Sequence, residues 1–240
     1  MAGTPTRELA TDVPHRRVDA DDWDDIYVVG DVHGCRATLE RLLDRLEPTS
    51  EDLVVFVGDL VRKGPDSAGV VDLVRERPNF LGVRGNNEQK LLDGRKSLVS
   101  FSDEDLAYIR SLPVVLSWDG AMVVHGGVDH RKPLAEHSVP ELLNARSLHP
   151  DGGYERPFWF ETRRERPQIF FGHTVLAEPF ATEWAVGLDT GCVYGGQLTA
   201  YTWSTGEFVA VEPGETHQSR SADSIVDPRP DAPTLTQCHD

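Results

Sequence analysis

Short apolar runs alternate with amphipathic segments in the first half of the chain. The runs 26–29, 53–57 and 80–83 each stop at a glycine-containing loop, which is typical of buried strands. Between them, segments 36–47 and 66–75 place leucines and valines on one helical face. This β-α-β-α-β order predicts a parallel sheet covered by helices, with ligands bound beyond the carboxyl ends of its strands.

The second half of the chain is richer in strands. After a helical region predicted around 87–111, two apolar runs at 114–118 and 121–124 flank Asp119-Gly120, a strong signal for a two-residue hairpin. Further apolar runs predict strands at 168–171, 184–188, 198–203 and 208–211, with a turn at 204–206 joining the last pair.

The two ends of the chain are polar and lack periodicity. We therefore predict a disordered acidic N-terminal tail at 1–23, a single domain at 24–212, and a disordered C-terminal tail at 213–240. A chain of 240 residues is long enough for one large domain with a buried core.

The charge balance bears on which partners the protein can bind and on the salt concentration at which it is stable. The chain has 40 Asp and Glu against 24 Lys and Arg, for a formal net charge of −16. Such a surface disfavours non-specific nucleic-acid binding, which depends on basic patches facing phosphates. The four lysines are Lys63, Lys90, Lys96 and Lys132. Because salt screens self-repulsion, this composition predicts a halophilic protein from a salt-rich cytoplasm; an acidic mesophilic protein is the alternative.

Composition also predicts where the protein resides. No apolar run is long enough to cross a membrane, and the N-terminal residues lack the apolar core of a signal peptide. The three scattered cysteines favour free thiols over a disulfide framework. We therefore predict a cytoplasmic protein that does not bind membranes.

Candidate metal ligands lie in glycine-flanked loops directly after apolar runs. The loops read GDVHG (30–34), GDLVRKGP (58–65), RGNNE (84–88), VHGG (124–127) and FGHT (171–174). A divalent pair about 3.5–4 Å apart, which can clamp the attacking and leaving oxygens of a phosphoryl transfer, needs such carboxylate, imidazole and amide ligands. The candidates are Asp31, His33, Asp59, Asn86, His125 and His173. The other six histidines are predicted to be surface residues: His15, His130, His137, His149, His217 and His239.

In this order the motifs resemble those of the calcineurin-like metallophosphoesterases. The later stretch LDTGCVYGGQLTAY (188–201) is similar to the branch that holds PPP-type serine/threonine phosphatases and symmetrical bis(5′-nucleosyl)-tetraphosphatases. The resemblance spans about 25–211. It implies an α/β fold, a β-sandwich of two mixed sheets flanked by helices, and hydrolysis of phosphate esters or anhydrides by a metal-activated hydroxide. It also implies two divalent ions, commonly manganese, although the ligand types suit Fe, Zn or Ni equally.

The resemblance assigns roles to individual residues. Asp31 and His33 would hold the first metal and Asp59 would bridge both, while the second metal would take Asn86, His125 and His173. Three cations match phosphate-gripping positions of the family. They are Lys63, Arg84 and Arg146.

Two departures from the family pattern bear on the substrate. Arg62-Lys63 replaces Asp-Arg, and Asn87 replaces the histidine that protonates the leaving group. Loss of a general acid costs about 10²–10⁴-fold where the leaving group needs a proton. Asn87 could still stabilise the leaving oxygen through a hydrogen bond, and His130 is a candidate substitute acid.

Three functions remain open on sequence grounds. Asn87 favours hydrolysis of phosphoanhydrides such as diadenosine tetraphosphate, because a phosphate leaving group is already a moderate acid. The overall motif set also suits a serine/threonine protein phosphatase acting on phosphoproteins. A non-catalytic metal- or nucleotide-binding module ranks lowest, because all six candidate ligands are present.

Overall fold

Two mixed β-sheets packed face to face form the centre of the fold. The computed structural model describes residues 9–229, and the bounds below refer to these residues. The strands are β1 (His15–Arg17), β2 (Ile26–Val29), β3 (Leu53–Phe56), β4 (Phe80–Gly82), β5 (Val115–Trp118), β6 (Ala121–Val124), β7 (Gln168–Phe171), β8 (Phe180–Ala181), β9 (Ala185–Gly187), β10 (Leu198–Thr202) and β11 (Phe208–Val211). The α-helices are α1 (Arg36–Leu46), α2 (Ser67–Arg75), α3 (Asn86–Leu92), α4 (Asp103–Ser111), α5 (Val139–Asn144) and α6 (Trp159–Thr162).

Each sheet has a parallel core that brings strand ends to one level. The five-stranded sheet has the order β11-β10-β2-β3-β4, with β2, β3 and β4 parallel. The six-stranded sheet has the order β1-β5-β6-β7-β9-β8, with β6, β7 and β9 parallel. In the first sheet Val29 pairs with Phe56, and Phe56 pairs with Gly82. The loops that follow these strands therefore begin side by side.

Apolar side chains fill three layers. Val28 and Val55 of one sheet meet Phe170 and Val186 of the other in the central layer. The helices cover the outer faces: the leucines of α1 and valines of α2 pack on the five-stranded sheet, and α5 and α6 pack on the six-stranded one. Full burial of a Val, Leu or Phe side chain stabilises the fold by about 1.5–3 kcal/mol. These layers make the strand ends a rigid support for the loops.

The helices of the first half begin and end at residues that satisfy their free backbone groups. The side chain of Asp66 caps α2 by accepting a hydrogen bond from Gly69 N at 2.8 Å. Helix α1 stops at Glu47, whose left-handed backbone directs its N–H to the Leu43 carbonyl at 2.8 Å. Ser102 and Asp105 form a capping box at the start of α4.

The sequence pattern predicts the long elements and misses the short ones. The mixed two-sheet architecture is confirmed, as is the hairpin at Asp119-Gly120. The helical region predicted at 87–111 is two helices, α3 and α4, separated by residues 93–102. No helix in 9–229 combines the length and the apolar character that crossing a membrane requires.

The prediction of disordered tails is wrong for the parts that the structure describes. Residues 15–17 form β1, a parallel neighbour of β5, and Val13 is buried in the core. In segment 213–229, Val226 is buried and pairs with Leu176. Backbone hydrogen bonds to the domain hold both segments, and such bonds leave no periodic signal in the sequence. Residues 1–8 and 230–240 of the predicted tails lie outside the described residues.

Candidate metal centre

The six predicted ligands follow strands and converge at one edge of the sandwich. Asp31 and His33 follow β2, Asp59 follows β3, and Asn86 begins α3 just after β4. His125 and His173 follow β6 and β7 of the other sheet. The ligand atoms of Asp31, Asp59 and His125 all lie within 4.8 Å of one another. Asn86 Nδ2 lies 2.8 Å from His173 Nδ1, and the two imidazole centroids of His125 and His173 are 5.3 Å apart.

Three of these ligands occupy left-handed backbone. The φ angles of His33, Asp59 and His173 are 50°, 51° and 64°. Side-chain-bearing residues rarely adopt this region, and it is concentrated at functional sites. The left-handed turn redirects each side chain as the chain leaves its strand, so that all three reach a common centre.

Two motif glycines let the loops approach closely enough to share a site. A Cβ atom on Gly172 would lie 1.9 Å from Asp31 Oδ1, and one on Gly85 would lie 2.3 Å from Asp59 N and Oδ1. Any larger residue at either place would displace a ligand carboxylate. The glycines of RGNNE and FGHT are therefore required by packing around the ligands.

The donor set fits a divalent metal. His125 Nδ1 lies 2.9 Å from the Val57 carbonyl, which orients the ring so that Nε2 faces Asp59 Oδ1 at 3.4 Å. This Nε2 is buried and has no hydrogen-bond partner among the described residues. His33 repeats the arrangement, with Nδ1 3.2 Å from the Val61 carbonyl and Nε2 3.6 Å from Asp59 Oδ2. A ring nitrogen fixed by a carbonyl while the other meets a carboxylate is typical of metal-ligating histidines.

The electrostatics of the cluster favour a cation at this place. Burial would raise the pKa of Asp59, but the neighbouring His125 and His33 hold it well below its usual range. Burial, with the nearby charge of Asp189, raises the pKa of Asp31. Burial would lower the pKa of His125, yet Asp59 and Asp31 raise it to about 10. Buried carboxylates that hold positive charge on a histidine would also attract a divalent ion.

Glu88 supports the ligand loops from behind. Its carboxylate is fully buried; Oε2 accepts hydrogen bonds from the backbone N–H of Asp59 (2.9 Å) and Gly85 (2.7 Å), and Oε1 accepts one from Val61 (3.1 Å). Burial and the charge of Asp59 raise the pKa of Glu88 to about 7. The side chain thus joins the loop after β3 to the loop after β4. Because Gly85 is the N-cap residue of α3, the hydrogen bond from Gly85 N to Glu88 also caps this helix.

We expect Glu88→Gln to destabilise the fold. The amide keeps one acceptor oxygen, but its NH2 faces backbone donors and leaves a buried N–H unsatisfied, at a cost of about 1–3 kcal/mol. Urea denaturation would measure the free energy of unfolding. The control is Glu76→Gln on the surface, where a change within about 0.5 kcal/mol is expected. Equal stability of Glu88→Gln and the parent chain would contradict this role.

Two of the three predicted phosphate-binding cations lie against the ligands. Lys63 Nζ is 2.6 Å from His33 Nε2, and Arg146 Nη2 is 2.9 Å from His173 Nε2. Arg84 is placed differently. Its guanidinium donates to the carbonyls of Arg110 (3.0 Å) and Leu112 (3.1 Å) and to the Gln89 side chain (3.1 Å). Arg84 therefore stabilises the turn after α4, and this placement does not support a phosphate-contacting role.

Comparison with known proteins agrees with the geometry. Residues 25–206 match the family model of the calcineurin-like phosphoesterases, and these residues contain all six candidate ligands. The chain belongs to this family. It is therefore a metallophosphoesterase, a hydrolase whose buried Asp-Asp-His cluster fits a dinuclear divalent metal centre.

Similar proteins include a protein phosphatase and bis(5′-nucleosyl)-tetraphosphatases. Serine/threonine-protein phosphatase 1 of Salmonella typhimurium is 31% identical over 77% of this chain and 94% of its own length. The asymmetrical bis(5′-nucleosyl)-tetraphosphatase PrpE of Oceanobacillus iheyensis is 30% identical over 78% of this chain and 91% of its own. A crystal structure named as that of a proposed diadenosine tetraphosphatase is 30% identical, with a TM-score of 0.74 over 83% of this chain and 98% of its own.

Arg62 and Asn87, the two positions at which we expect the sequence to depart from the metallophosphoesterase pattern, contact each other. Arg62 Nη1 donates to Asn87 Oδ1, and Asn87 Nδ2 donates to Asp59 Oδ2 and to Asn86 Oδ1 (2.8 Å). Asn87 N donates to Asp59 Oδ1 at 2.8 Å. An Arg–Asn pair thus occupies the two positions where the sequence resemblance leads us to expect Asp and His. The sequence identified both positions, but only the structure shows that the two side chains form a hydrogen bond.

Within residues 9–229, none of the remaining histidines forms a side-chain hydrogen bond or an ion pair with a predicted ligand. For His130, whose pKa is lowered by burial, this does not support a role as substitute acid. The prediction that His137 lies on the surface is wrong. Its ring is buried, and its Nε2 accepts a hydrogen bond from Asp129 N at 2.9 Å. His239 lies outside the described residues.

Asp189 is a buried carboxylate that sequence reasoning did not single out. It accepts a hydrogen bond from Gly191 N at 3.1 Å, and its charge contributes to the raised pKa of Asp31. Its position directly after the apolar segment around β9 repeats the pattern of Asp31 and Asp59, so the signal was present in LDTGC.

Proposed function

We propose that this metallophosphoesterase hydrolyses phosphoanhydrides of nucleotides, with dinucleoside tetraphosphates as the preferred class. The six predicted ligands would hold two divalent ions, for which we propose manganese. When bound, such ions supply Lewis-acid activation of the phosphate and of the attacking water. The chain's own residues would bind the phosphate and determine which leaving groups are accepted.

The Arg62–Asn87 pair is the observation that carries this proposal. A carboxamide does not release a proton near neutral pH, and a guanidinium stays protonated in proteins. The Arg62 guanidinium can donate hydrogen bonds to a leaving oxygen and stabilise its charge, but neither group can protonate it. The pair therefore favours leaving groups that are stable as anions.

This property separates the two substrate classes. A serine or threonine alkoxide must be protonated as it departs, and the absence of an acid costs about 10²–10⁴-fold. A departing nucleotide ends in a phosphate whose second pKa is near 6, so it needs no proton from the enzyme. The lack of a general acid in this site therefore slows anhydride hydrolysis less than it slows hydrolysis of a serine or threonine phosphate ester.

Two cations would bind the phosphate that is attacked. Lys63 contacts His33, a predicted ligand of the first metal. Arg146 contacts His173, a predicted ligand of the second metal. A guanidinium can grip a phosphate with two parallel hydrogen bonds, whereas an ammonium supplies a point charge. Arg146 would orient the phosphate, and Lys63 would neutralise it.

A cavity that could hold part of a nucleotide lies beside the predicted ligand Asn86. The cavity has a volume of about 420 Å³ and is lined by Lys90, Arg95, Val139, Pro140 and Leu143 among others. Lys90 Nζ is 3.1 Å from Asn86 Oδ1, which brings a further cation to this side. Asp93 also lines the cavity and pairs with Arg95, so Lys90 is the cation that could contact a phosphate there, while Val139, Pro140 and Leu143 could contact a base.

The second candidate is a serine/threonine protein phosphatase. The 31% identity to the Salmonella phosphatase favours this candidate, and the alignment covers 77% of this chain and 94% of that phosphatase. The tetraphosphatase relatives and the similar crystal structure support the first candidate with comparable identity. The Arg62–Asn87 pair decides our preference between them.

Side-by-side turnover of the two substrate classes tests the proposal. The manganese-loaded enzyme at high salt would be given diadenosine tetraphosphate and a phosphoserine peptide at matched concentrations. We expect faster initial hydrolysis of the anhydride. Faster hydrolysis of the peptide would overturn the preference and require another acid in the site. Turnover of neither substrate by enzyme with bound metal would overturn the proposal altogether.

A further inference from the structure

A row of alternating cations and tyrosines extends from the metal ligands across the surface. Lys63 Nζ lies 5.2 Å from the ring centroid of Tyr194, and Arg220 Cζ lies 4.8 Å from the same centroid. Arg220 Cζ is also 5.8 Å from the Tyr154 centroid, and Arg146 Cζ is 4.4 Å from it. We call these five residues the cation–tyrosine row. Its two ends, Lys63 and Arg146, contact the ligands His33 and His173.

Arg220 comes from a segment beyond the part of the chain that matches the family model. The match ends at residue 206, whereas segment 213–229 crosses back to the site. On one side of Arg220, the N–H groups of His217 and Gln218 donate to the Val193 carbonyl at 3.1 and 3.0 Å. The Gln218 side chain donates to the Lys63 carbonyl at 3.1 Å. The segment is therefore joined directly to the loop that carries Lys63.

The other side of Arg220 is anchored in the core. Val226 is buried; its N–H donates to the Val175 carbonyl and its carbonyl accepts from Ala177 N, both at 2.8 Å. Arg220 itself donates from Nε to the Ser224 carbonyl at 3.0 Å and from Nη2 to the Tyr154 hydroxyl. With both flanks fixed and the guanidinium oriented, Arg220 is a preorganised group.

The row concentrates positive charge on an acidic protein. The formal net charge is −16, yet none of Lys63, Arg146 and Arg220 forms an ion pair with a carboxylate within 9–229. Buried carboxylates lie near these cations without forming ion pairs with them. Lys63 acts on Asp31, Asp59 and Asp189, and burial raises the pKa of Asp189 although Lys63 and Arg220 oppose the rise. Burial, with the nearby charge of Arg220, lowers the pKa of Arg146. Cations held together without a directly paired carboxylate form a site for an anion.

We propose that Arg220 binds a phosphate adjacent to the one that is attacked, and so gives this enzyme its preference for polyphosphate chains. The inference deepens the proposed function and rests on it. Lys63 and Arg146 contact the predicted metal ligands and would hold the attacked phosphate, whereas Arg220 lies against both tyrosines and forms no hydrogen bond to a predicted ligand within residues 9–229. Cations already cover the tyrosine rings, so the rings position charge and do not stack a base.

Inhibition by phosphate and by a diphosphate analogue distinguishes this role. The probes are inorganic phosphate and imidodiphosphate, whose P–N–P bridge resists hydrolysis, tested as competitive inhibitors of p-nitrophenyl phosphate turnover with metal in excess. For Arg220→Ala we expect the Ki of imidodiphosphate to rise about 10–100-fold, the range for one charge-assisted hydrogen bond. The Ki of inorganic phosphate should rise less than about 3-fold.

Two further variants separate charge from structure. Arg220→Gln keeps hydrogen-bond donors for Ser224 and Tyr154 but removes the charge, and we expect it to weaken imidodiphosphate binding as Arg220→Ala does. Arg77→Ala is the matched control, because Arg77 also lies over an aromatic ring, 5.1 Å from the Phe80 centroid, on another part of the surface. It removes one positive charge from the protein and should leave both Ki values unchanged.

The outcomes are distinct from those that test the proposed function. An equal rise in both Ki values for Arg220→Ala and Arg220→Gln, or no rise in either, would overturn the role of Arg220. A melting temperature that falls together with both affinities would show that Arg220 serves only to fix the segment, and would overturn the proposal as well. Neither readout depends on whether a nucleotide or a phosphoprotein is the better substrate, so the two proposals can fail separately.

Discussion

Asp59→Asn is expected to abolish both phosphoesterase activity and metal-induced stabilisation. Asp59 lies between His33 and His125, with its two carboxylate oxygens 3.6 and 3.4 Å from their Nε2 atoms. Removing a group that only supports a metal ligand costs about 10–100-fold in affinity or activity, so loss of the central ligand should exceed about 100-fold. A ligand that binds only the native state raises the melting temperature, and the variant should lose this shift.

The measurement pairs initial rates with melting curves recorded with and without manganese. Asp52→Asn is the matched control, because Asp52 is a buried carboxylate at the opposite end of the same strand, β3. It accepts hydrogen bonds from Thr49 and should leave the metal-induced shift intact. A full manganese-induced shift in Asp59→Asn would contradict the assignment of Asp59 as the central ligand.

Restoring an acid dyad should redirect the enzyme toward phosphate esters of poor leaving groups. In the double variant Arg62→Asp with Asn87→His, an imidazole would stand where Asn87 now contacts Asp59, with a carboxylate to orient it. Residue 62 has a φ of 70°, a left-handed conformation that Asp tolerates better than most residues. Because a general acid contributes about 10²–10⁴-fold, phosphoserine-peptide hydrolysis should rise by a factor in this range.

The comparison substrate for this variant is p-nitrophenyl phosphate, whose leaving group needs little protonation. Its rate should rise far less than the peptide rate. Asn87→His alone should gain less than the double variant, since the Arg62 guanidinium beside the ring disfavours its protonated form. Equal acceleration of both substrates would show that leaving-group protonation does not limit the parent enzyme.

The convergence of the six predicted ligands could be predicted from sequence, because strand ends impose their arrangement. Parallel pairing of β2, β3 and β4 places Asp31, Asp59 and Asn86 at one level, and apolar runs before glycine identify those strands. The direction of an individual long side chain is not encoded in this way. Arg84 follows β4 as predicted, yet its guanidinium turns toward the carbonyls of Arg110 and Leu112 at the end of α4, and no sequence pattern identifies these acceptors.

The cation–tyrosine row could not be predicted from the sequence, for a different reason. Its members come from four separate parts of the chain, and Arg220 lies in a segment predicted to be disordered. That segment is held by backbone hydrogen bonds to Val193 and Val175 and by two buried residues, Val226 and Pro228, and not by an apolar face. Low hydrophobicity indicates that a segment cannot fold alone, but it does not indicate whether an existing domain will bind it.

The left-handed backbone at His33, Asp59 and His173 limits how this site could be transferred to another protein. Each such residue carries a conformational cost of about 1–2 kcal/mol, which the surrounding fold must offset. A designer who grafts the six side chains onto another sandwich would reproduce their identities without their directions, unless the host loops already turn left-handed at those three positions. Because of this geometry, whole loops would have to be grafted, including the close-packed Gly85 and Gly172.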